Sequence, residues 1–329
     1  MKIAIIYSLP TLRAIASPYI DTDKDTEASA REIGTALVGK GAEVELLPIT
    51  EDNLNVIDTI SADLIFNLIE WTGLDVGLTI AAFKKFEAQS VPFTGCSLSS
   101  LIQVADKIKM KNDLDMAGLP TPSWQEFKTG NEQVSRNLKF PVITKLALEH
   151  CSIGLTRESV VGNPQELKKV TKKFINEFKQ PVFAEEFIPG REFQVTIIED
   201  DQGIQVLPPA EIIFKNPGEL AFLTYKSRWD ETHADYETST VGLAQLTSDF
   251  KNKLENVSLE AYRVFGCRDY GRIDIRTRGN DIFILEVNPN PGLGEDEEYG
   301  MTVSYRAANL TFADFIWKIV ESCLRRSKS

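Results

Sequence analysis

Short apolar runs alternate with longer amphipathic segments over the first third of the chain. Three of the apolar runs predict strands of a buried sheet, at Lys2–Tyr7, Glu43–Leu47 and Asp63–Asn67. Helical spacing of apolar residues predicts helices that follow strands, at Ala28–Val38 and Leu78–Gln89. This alternation predicts a parallel, doubly wound α/β sheet ending near Val104. Because ligands bind such sheets at the carboxyl ends of the strands, Ser8 and residues 67–77 are candidates for a binding edge.

The rest of the chain predicts mixed α and β elements with one long irregular segment. Apolar runs predict strands at Phe140–Lys145 and Val182–Ile188, and amphipathic spacing predicts helices that begin at Asp106 or cover Asp249–Phe265 and Phe312–Leu324. Phe214–Thr238 is polar and aromatic without a clear period. A long segment of this kind in a compact domain is usually either disordered or functional, and we expect a lid over a binding site.

The clearest functional pattern lies in residues 271–294, GRIDIRTRGNDIFILEVNPNPGLG. Two alternating runs, Arg272–Arg276 and Ile282–Val287, flank a Gly-Asn turn and predict a β-hairpin. The most direct interpretation is a three-residue loop centred on Asn280. The Asn-Pro-Asn-Pro-Gly sequence directly after the second strand is an unusual turn and favours a functional loop.

The register of this hairpin would bring four polar side chains onto one face. A three-residue loop places Asp274 opposite Glu286 and Arg272 opposite Asn288, with facing Cβ atoms about 4.5–5.5 Å apart. Two carboxylates at that separation repel each other unless a cation lies between them. Because the candidate ligands are oxygen atoms, Asp274, Glu286 and Asn288 predict a Mg²⁺ or Mn²⁺ site shared with substrate phosphates. The alternative is an ordinary hairpin with a solvated polar face.

Composition limits the classes of function. The chain has 329 residues, 43% hydrophobic and 26% charged, which is typical of a globular protein of two or three domains. A net charge of −12 argues against a nucleic-acid-binding surface. The four cysteines are scattered, which indicates reduced thiols, and the first residues predict neither a signal peptide nor a membrane span. We therefore expect a cytoplasmic protein that binds small molecules, with no nucleic-acid or membrane partner.

The spacing R-x-D, eleven further residues and then E-x-N-x-x-P-G resembles the metal-binding end of ATP-grasp enzymes, specifically the D-alanine–D-alanine ligase family. The resemblance covers nearly the whole chain from Asp106 onward. It implies an ATP-grasp fold, with an N-terminal parallel α/β domain (1–105) followed by two α+β subdomains (106–183 and 184–329) that grip ATP. It also implies a ligase that joins a carboxylate to an amine through an acyl phosphate and releases ADP and phosphate. A homodimer is compatible with the resemblance.

The resemblance also assigns roles to individual residues. It implies that Asp274, Glu286 and Asn288 hold two Mg²⁺ ions against ATP. It implies that Arg272 and a backbone N–H near Gly292 steady the reacting carboxyl oxygens, and that Lys226 in the lid reaches the terminal phosphate. The implied ATP-binding residues are two lysines and a small-residue loop for the phosphates, a connector for adenine and an acid for ribose: Lys107, Lys145, Ser152, Glu185, Glu186, Ile188 and Glu192. Lys107 could equally be a solvated helix charge, and Glu185 and Glu186 could be exposed acids beside a linker.

The substrate loops depart from the family pattern. The family has a Gly-rich, Ser-Glu-containing loop after the first strand, where this chain has Ser8-Leu-Pro-Thr, and a His-Gly segment where it has Ile69-Glu70-Trp71. Glu27 and Glu70 are the candidate substrate residues in this half, and Glu295 is the candidate at the start of the acidic run Glu295–Glu298. Four consecutive acids can also be an ordinary solvated surface.

Three functions remain open from the sequence. ATP-dependent ligation of an amino acid or related carboxylate to an amine other than D-alanine is favoured. A D-alanine–D-alanine ligase of cell-wall synthesis is the first alternative. A nucleotide-binding scaffold without turnover is the second, and the intact Arg272, Asp274, Glu286 and Asn288 argue against it.

Overall fold

The amino-terminal sheet is parallel, as predicted. The computed structural model describes residues 1–216, 218, 220–296 and 299–328, without the side chains of 23–25 and 237. The strands of this sheet lie in the order β2-β1-β3: β1 (Lys2–Ser8), β2 (Glu43–Ile49) and β3 (Leu64–Leu68). The helices of this part are α1 (Leu12–Ile15), α2 (Asp21–Gly39), α3 (Val76–Glu87) and α4 (Leu98–Ala105), with 3₁₀ turns at Leu54–Thr59 and Gly73–Asp75.

Alternating residues of β1, the central strand, pack into two separate hydrophobic cores. Ile3 and Ile5 of β1 pack in one hydrophobic cluster with α2, whereas Ile6 packs on the opposite face with Phe83 and Phe86 of α3. Helices therefore cover both faces, which is why nearly every position of β1 and β3 is buried. The carboxyl ends of both strands open onto the predicted binding edge.

A four-stranded sheet of order β4-β7-β5-β6 follows, flanked by two helices. Its elements are α5 (Lys107–Met116), β4 (Trp124–Phe127), β5 (Val142–Leu146), β6 (Val160–Val161), α6 (Pro164–Phe178) and β7 (Val182–Glu186), with a 3₁₀ turn at Arg157–Ser159. Asp106 caps α5 by accepting hydrogen bonds from the backbone N–H groups of Ile108 and Lys109 at 2.9 and 3.3 Å. This cap fixes where α5 begins, so Lys107 occupies its first turn.

The last sheet has the order β11-β10-β8-β12-β13, with β9 paired to β8. Its elements are β8 (Glu192–Asp200), β9 (Gly203–Val206), β10 (Ala210–Phe214), α7 (Tyr225–Trp229), β11 (Ser239–Leu243), α8 (Ser248–Val264), β12 (Tyr270–Arg278), β13 (Asp281–Asn288), α9 (Gly300–Ala307) and α10 (Phe312–Arg326). Phe214–Thr238 is more regular than the sequence suggested, since it contains α7 and a 3₁₀ turn at Tyr236–Thr238. None of the helices in the described parts of the chain is long and apolar enough to span a membrane.

The hairpin β12–β13 has the predicted residue pairing, but its loop and its strand register differ from the prediction. Asp274 faces Glu286 and Arg272 faces Asn288. The loop is shorter than predicted, however, because Arg278 pairs directly with Asp281. A β-bulge between Asp274 and Ile275 then restores the register. The loop prediction was wrong, and the bulge, which the sequence did not reveal, compensates for it.

The carboxyl-terminal helix completes the core of the amino-terminal sheet. Phe315, Ile316 and Ile319 of α10 are fully buried in the same cluster as Ile3 and Ile5 of β1. The predicted division at 183/184 falls inside β7. We propose three units with junctions at 105/106 and after Glu186, with α10 returning to the first unit.

Buried polar groups also join the first and last units. Asp269 is fully buried and accepts hydrogen bonds from the Gly95 N–H at 2.9 Å and from Arg326 Nη2 at 2.8 Å. Tyr270 donates its hydroxyl to Asn290 Oδ1 at 3.0 Å, and a Cβ atom on Gly95 would lie only 2.1 Å from the same oxygen. The loop that follows β13 is therefore held against the end of the amino-terminal sheet.

Candidate active site

A cavity of about 1520 Å³ lies where the three sheets meet. Its walls come from the carboxyl ends of β1 and β3, from β5, β7 and the loops after them, from α7, and from the face of the β12–β13 hairpin. Within the described residues, every predicted site residue lines this cavity except Glu27 and Glu295. The structure thus brings together residues that are as far apart in the chain as Glu70 and Gly292.

Arg272, Asp274 and Asn288 form a connected group on the hairpin face. Arg272 contacts both oxygens of Asp274, with Nε–Oδ1 at 2.7 Å and Nη2–Oδ2 at 3.0 Å. Asn288 Nδ2 donates to Asp274 Oδ2 at 3.1 Å from the facing strand. Burial alone would lower the pKa of Arg272, but the Asp274 carboxylate outweighs burial and raises it. Arg272 therefore stays ionised and is held in one orientation at the cavity wall by Asp274.

Glu286, the second predicted metal ligand, contacts two basic side chains. Lys107 Nζ forms an ion pair with Glu286 Oε1, and His150 Nδ1 lies 3.1 Å from the same oxygen. Burial would raise the pKa of Glu286, but Lys107 and His150 outweigh burial and hold that pKa well below its ordinary value. The repulsion expected between Asp274 and Glu286 is thus resolved in this structure by separate cations on each carboxylate.

Glu185 does not present a free carboxylate to the cavity. Its oxygens contact Lys145 Nζ and Lys111 Nζ, each at 2.6 Å, and its side chain is 1% exposed. Lys145 is 20% exposed and lines the cavity, whereas Lys111 is completely buried. The alternative that Glu185 is an exposed acid beside a linker is therefore wrong. Sequence analysis missed Lys111, although it lies four residues after Lys107 in α5, and so on the same helix face.

The connector after β7 is fastened to the hairpin by two arginines. Arg276 Nε donates to Glu192 Oε2 at 2.9 Å, and its Nη1 donates to the Ile188 carbonyl at 2.8 Å. Arg278 Nη1 donates to Glu186 Oε1 at 2.5 Å. Both acids and Ile188 line the cavity, so the predicted adenine and ribose contacts lie on one continuous wall.

The loop after β5 adopts left-handed backbone at two non-glycine residues. Cys151 has φ 55° and Ser152 has φ 60°, and both residues line the cavity. Such conformations are uncommon outside glycine and cluster at functional sites. Burial raises the pKa of the Cys151 thiol to about 11, with the nearby Arg228 charge opposing that rise. The thiol therefore stays protonated near neutral pH.

The segment predicted as a lid is docked over this loop. The Tyr225 N–H donates to the Leu155 carbonyl at 3.1 Å, and Trp229 Nε1 donates to the Cys151 carbonyl at 3.1 Å. Tyr225 also packs edge-on against Tyr19 of the amino-terminal unit, with ring centroids 4.8 Å apart. Pro217 and Glu219 of this segment lie outside the described residues. Lys226 is exposed at the cavity, and Arg228, which sequence analysis missed, is half-buried beside it.

The predicted substrate residues separate into two groups. Glu70 lines the cavity, and its Oε1 lies 3.6 Å from the position that a Cβ atom on Gly292 would take. Glu27, in contrast, is bound to Arg31 at 2.6 Å on the surface of α2. Glu295 is exposed, and its N–H donates to Glu32 Oε2 at 3.2 Å. Asp296 is the member of the acidic run that reaches the cavity, while Glu297 and Glu298 lie outside the described residues.

This combination of fold and site defines an ATP-grasp ligase. The sequence model of the protein family described as D-ala D-ala ligase C-terminus matches residues 113–321. The chain therefore belongs to the D-alanine–D-alanine ligase family. It is an ATP-dependent enzyme that forms an amide or peptide bond.

Individual relatives agree with this assignment. The chain is 30% identical to a D-alanine–D-alanine ligase of Ralstonia pickettii over 72% of this chain and 68% of that protein. It is 26% identical to the D-alanine–D-alanine ligase of Desulforudis audaxviator over 91% and 93% of the two chains. Its fold matches that of the Bacillus anthracis D-alanine–D-alanine ligase complexed with ATP, with a TM-score of 0.77 at 20% identity over 100% and 99% of the two chains.

Proposed function

We propose that this protein is an ATP- and Mg²⁺-dependent carboxylate–amine ligase whose second substrate is an amine other than D-alanine. The observation that carries the proposal is the hairpin face at the wall of the cavity. There Arg272, Asp274 and Asn288 form one group and Glu286 with Lys107 forms another, and Lys145 lines the same cavity. This arrangement supports phosphoryl transfer, which needs positioning and charge neutralisation rather than a protein nucleophile.

The hairpin residues fit a divalent cation by their donor chemistry. Asp274, Glu286 and Asn288 offer carboxylate and amide oxygens, the ligands that suit Mg²⁺. Among the described residues no three His, Cys, Asp or Glu side chains are grouped to hold a metal by themselves. Mg²⁺ is usually held by one or two carboxylates plus substrate phosphates, so the remaining ligands would come from ATP. When bound, the ion would supply positive charge to the phosphate oxygens as the phosphoryl group transfers.

The remaining steps fall to groups of this chain. Lys145 and Lys107 would bind phosphate oxygens through charge-assisted hydrogen bonds. Arg272 and the backbone near Gly292 would orient the carboxylate that attacks the γ-phosphate. They would then stabilise the oxyanion formed when the amine attacks the acyl phosphate, and a well-placed donor of this kind contributes about 10²–10³ in rate. The docked α7 segment would exclude water from the acyl phosphate.

The acid-lined substrate end supports an amine other than D-alanine. Glu70 lies beside Gly292, and Asp296 lines the same end of the cavity. A second zwitterionic amino acid must bring its carboxylate into this region, where like charges raise the cost of binding. An amine with an additional positive charge, or without a carboxylate, avoids that cost.

Ligation of two D-alanine molecules is the second candidate, because the relatives reported above carry that name. A phosphate-release assay with Mg-ATP separates the candidates. Single amino acids are tested first. Each is then paired with D-alanine, with a diamine or with an amino acid that has an amine side chain. Release that requires a cationic amine supports the proposal, and efficient release with D-alanine alone supports the alternative. Tight ATP binding without release under every pairing would favour a scaffold.

A further inference from the structure

Two lysines of helix α5 form ion pairs with two different carboxylates of the site. Lys107 lines the cavity and pairs with Glu286. Lys111, one turn later on the same face, is 0% exposed and lies beneath the wall formed by Glu185. A fully buried lysine is uncommon and needs partners for its ammonium group.

All the partners of Lys111 come from elements that surround the site. Its Nζ lies 2.6 Å from Glu185 Oε2 and donates to Thr121 Oγ1 at 2.7 Å and to the Ile284 carbonyl at 3.3 Å. Lys111 thus makes two hydrogen bonds and one ion pair, all within the protein. Lys111 therefore has a fixed position rather than a choice of rotamers.

The other oxygen of Glu185 is taken by the lysine that faces the cavity. Lys145 Nζ lies 2.6 Å from Glu185 Oε1, and the Lys145 side chain is 20% exposed to the cavity whereas that of Glu185 is 1% exposed. A single lysine paired with a single buried carboxylate would present no net charge to an anion. With Lys111 behind it, the buried carboxylate is neutralised from below, and the three groups together carry one net positive charge.

We propose that Lys111 is a positioning residue that neutralises Glu185 and thereby keeps the charge of Lys145 effective toward the phosphates of ATP. This inference rests on the proposed ATP-dependent function. It gives Glu185 a role in the phosphate half of the site, beyond the adenine edge to which sequence resemblance assigned it.

The titration behaviour of the three groups agrees with this arrangement. Burial would raise the pKa of Glu185, but the two lysines outweigh burial and lower it. Burial would lower the pKa of Lys145, but Glu185 outweighs burial and raises it. Burial lowers the pKa of Lys111, with Glu185 opposing that change. Lys111 therefore depends on Glu185 to stay protonated, and Glu185 depends on both lysines to stay ionised.

The test compares two ligands that differ in phosphate groups. Binding of AMP-PNP with Mg²⁺ and binding of adenosine are measured by calorimetry for the full-length protein and for Lys111→Met. We expect AMP-PNP affinity to fall about tenfold, equivalent to ~1.4 kcal/mol, while adenosine affinity changes less than about twofold. A support role for the adenine pocket alone would weaken both ligands equally and would overturn the proposal.

The double variant Lys111→Met, Glu185→Gln removes one charge of each sign and restores the net positive charge. We expect it to bind AMP-PNP within about threefold of the unmodified protein. The double variant buries no uncompensated carboxylate. Its AMP-PNP affinity therefore tests the proposal even if the single variant does not fold. A double variant still weakened tenfold for AMP-PNP would overturn the proposal.

Lys109→Met is the matched control, since Lys109 lies in the same helix and pairs with Asp113 on the surface at 2.9 Å. We expect it to bind both ligands like the unmodified protein, and a tenfold loss of AMP-PNP affinity in this control would overturn the assignment to Lys111. Failure of the unmodified protein to bind AMP-PNP would instead overturn the proposed function on which this inference rests.

Discussion

Glu286 combines burial with contacts to two basic side chains, Lys107 and His150. Glu286→Gln keeps the shape of the side chain and removes its charge. We expect kcat to fall about 10²–10³-fold while the affinity for AMP-PNP changes less than about threefold, because this charge acts mainly as the phosphoryl group transfers. Phosphate release and calorimetry measure the two effects separately.

The control for this variant is Glu255→Gln, since Glu255 pairs with Lys251 on the exposed face of α8 at 3.6 Å. It should leave both measurements unchanged. Near-normal Mg²⁺-dependent turnover of Glu286→Gln would reject the assignment of Glu286 to the metal site.

Gly190 allows the connector to approach the hairpin closely. A Cβ atom at this position would lie 1.8 Å from the Thr277 carbonyl oxygen, which is backbone and has little freedom to move. Gly190→Ala should therefore lower the free energy of unfolding by about 1–3 kcal/mol and weaken ATP binding by displacing Ile188. Thermal unfolding followed by circular dichroism measures the first effect, and calorimetry with AMP-PNP measures the second.

Gly39→Ala is a suitable comparison, because no atom lies within 4 Å of a Cβ at the end of α2. It should be neutral or slightly stabilising. Equal unfolding temperatures for the two variants would show that the connector adjusts without cost.

At the scale of single elements, α7 places two basic side chains over the cavity. Lys226 is the residue predicted to reach the terminal phosphate, while Arg228 is half-buried and close enough to Cys151 to influence its pKa. Lys226→Ala and Arg228→Ala should each lower kcat, and we expect the larger effect, at least about tenfold, from Arg228 because it is less solvated. Steady-state phosphate release tests this ranking. A larger loss from Lys226→Ala would restore the order predicted from sequence.

The whole lid segment is expected to respond to nucleotide. Among the described residues, hydrogen bonds and one aromatic pair join it to the loop after β5 and to Tyr19, and Arg157 and Arg276 bind its Leu220 and Ala221 carbonyls. Opening would break these separate contacts but no sheet ladder, so we expect the segment to open more readily than the sheets. Limited trypsin digestion should cleave after Lys226 or Arg228 without ligand and more slowly with Mg-AMP-PNP. The surface site at Lys179, at the end of α6, provides an internal control. Identical cleavage rates in both states would indicate a static surface segment.

At the scale of the whole molecule, negative charge affects which substrate enters. The net charge is −12, and Glu70 and Asp296 both line the cavity at the end that we propose binds the amine. Asp296→Asn should lower kcat/KM for a cationic amine several-fold more than for a zwitterionic amino acid, because it removes an attraction that only the first experiences. Competition assays with the two amines measure the ratio.

Glu295→Gln serves as the control, since this neighbouring side chain is exposed and its backbone is bound to Glu32. The sequence had named Glu295 as the candidate, whereas in the structure Asp296 lines the cavity and Glu295 does not. If the unmodified protein forms D-alanyl-D-alanine efficiently and Asp296→Asn leaves kcat/KM unchanged, the cationic-amine hypothesis is rejected.

The sequence did not predict β4, β6, β9, β10, β11, α4, α6 or α9. It did determine the three amino-terminal strands, β5, β7, the hairpin with its polar face, and the helices α2, α3, α5, α8 and α10. These follow from local patterns, since alternation places Arg272 and Asp274 on the same side of β12, and the turn residues mark where β13 begins. The same patterns, joined to the family resemblance, predicted that Lys107 and Lys145 bind phosphate, and the structure places both at the cavity.

Only the tertiary structure decided how these elements are combined. The β-bulge after Asp274, the return of α10 to the first sheet and the burial of Lys111 behind Glu185 depend on packing between segments far apart in the chain. Periodicity shows which face of a helix is apolar, but it does not show which partner covers that face. A lysine looks the same in sequence whether it is solvated or buried, because its environment is set by residues more than seventy positions away, as Glu185 is from Lys111.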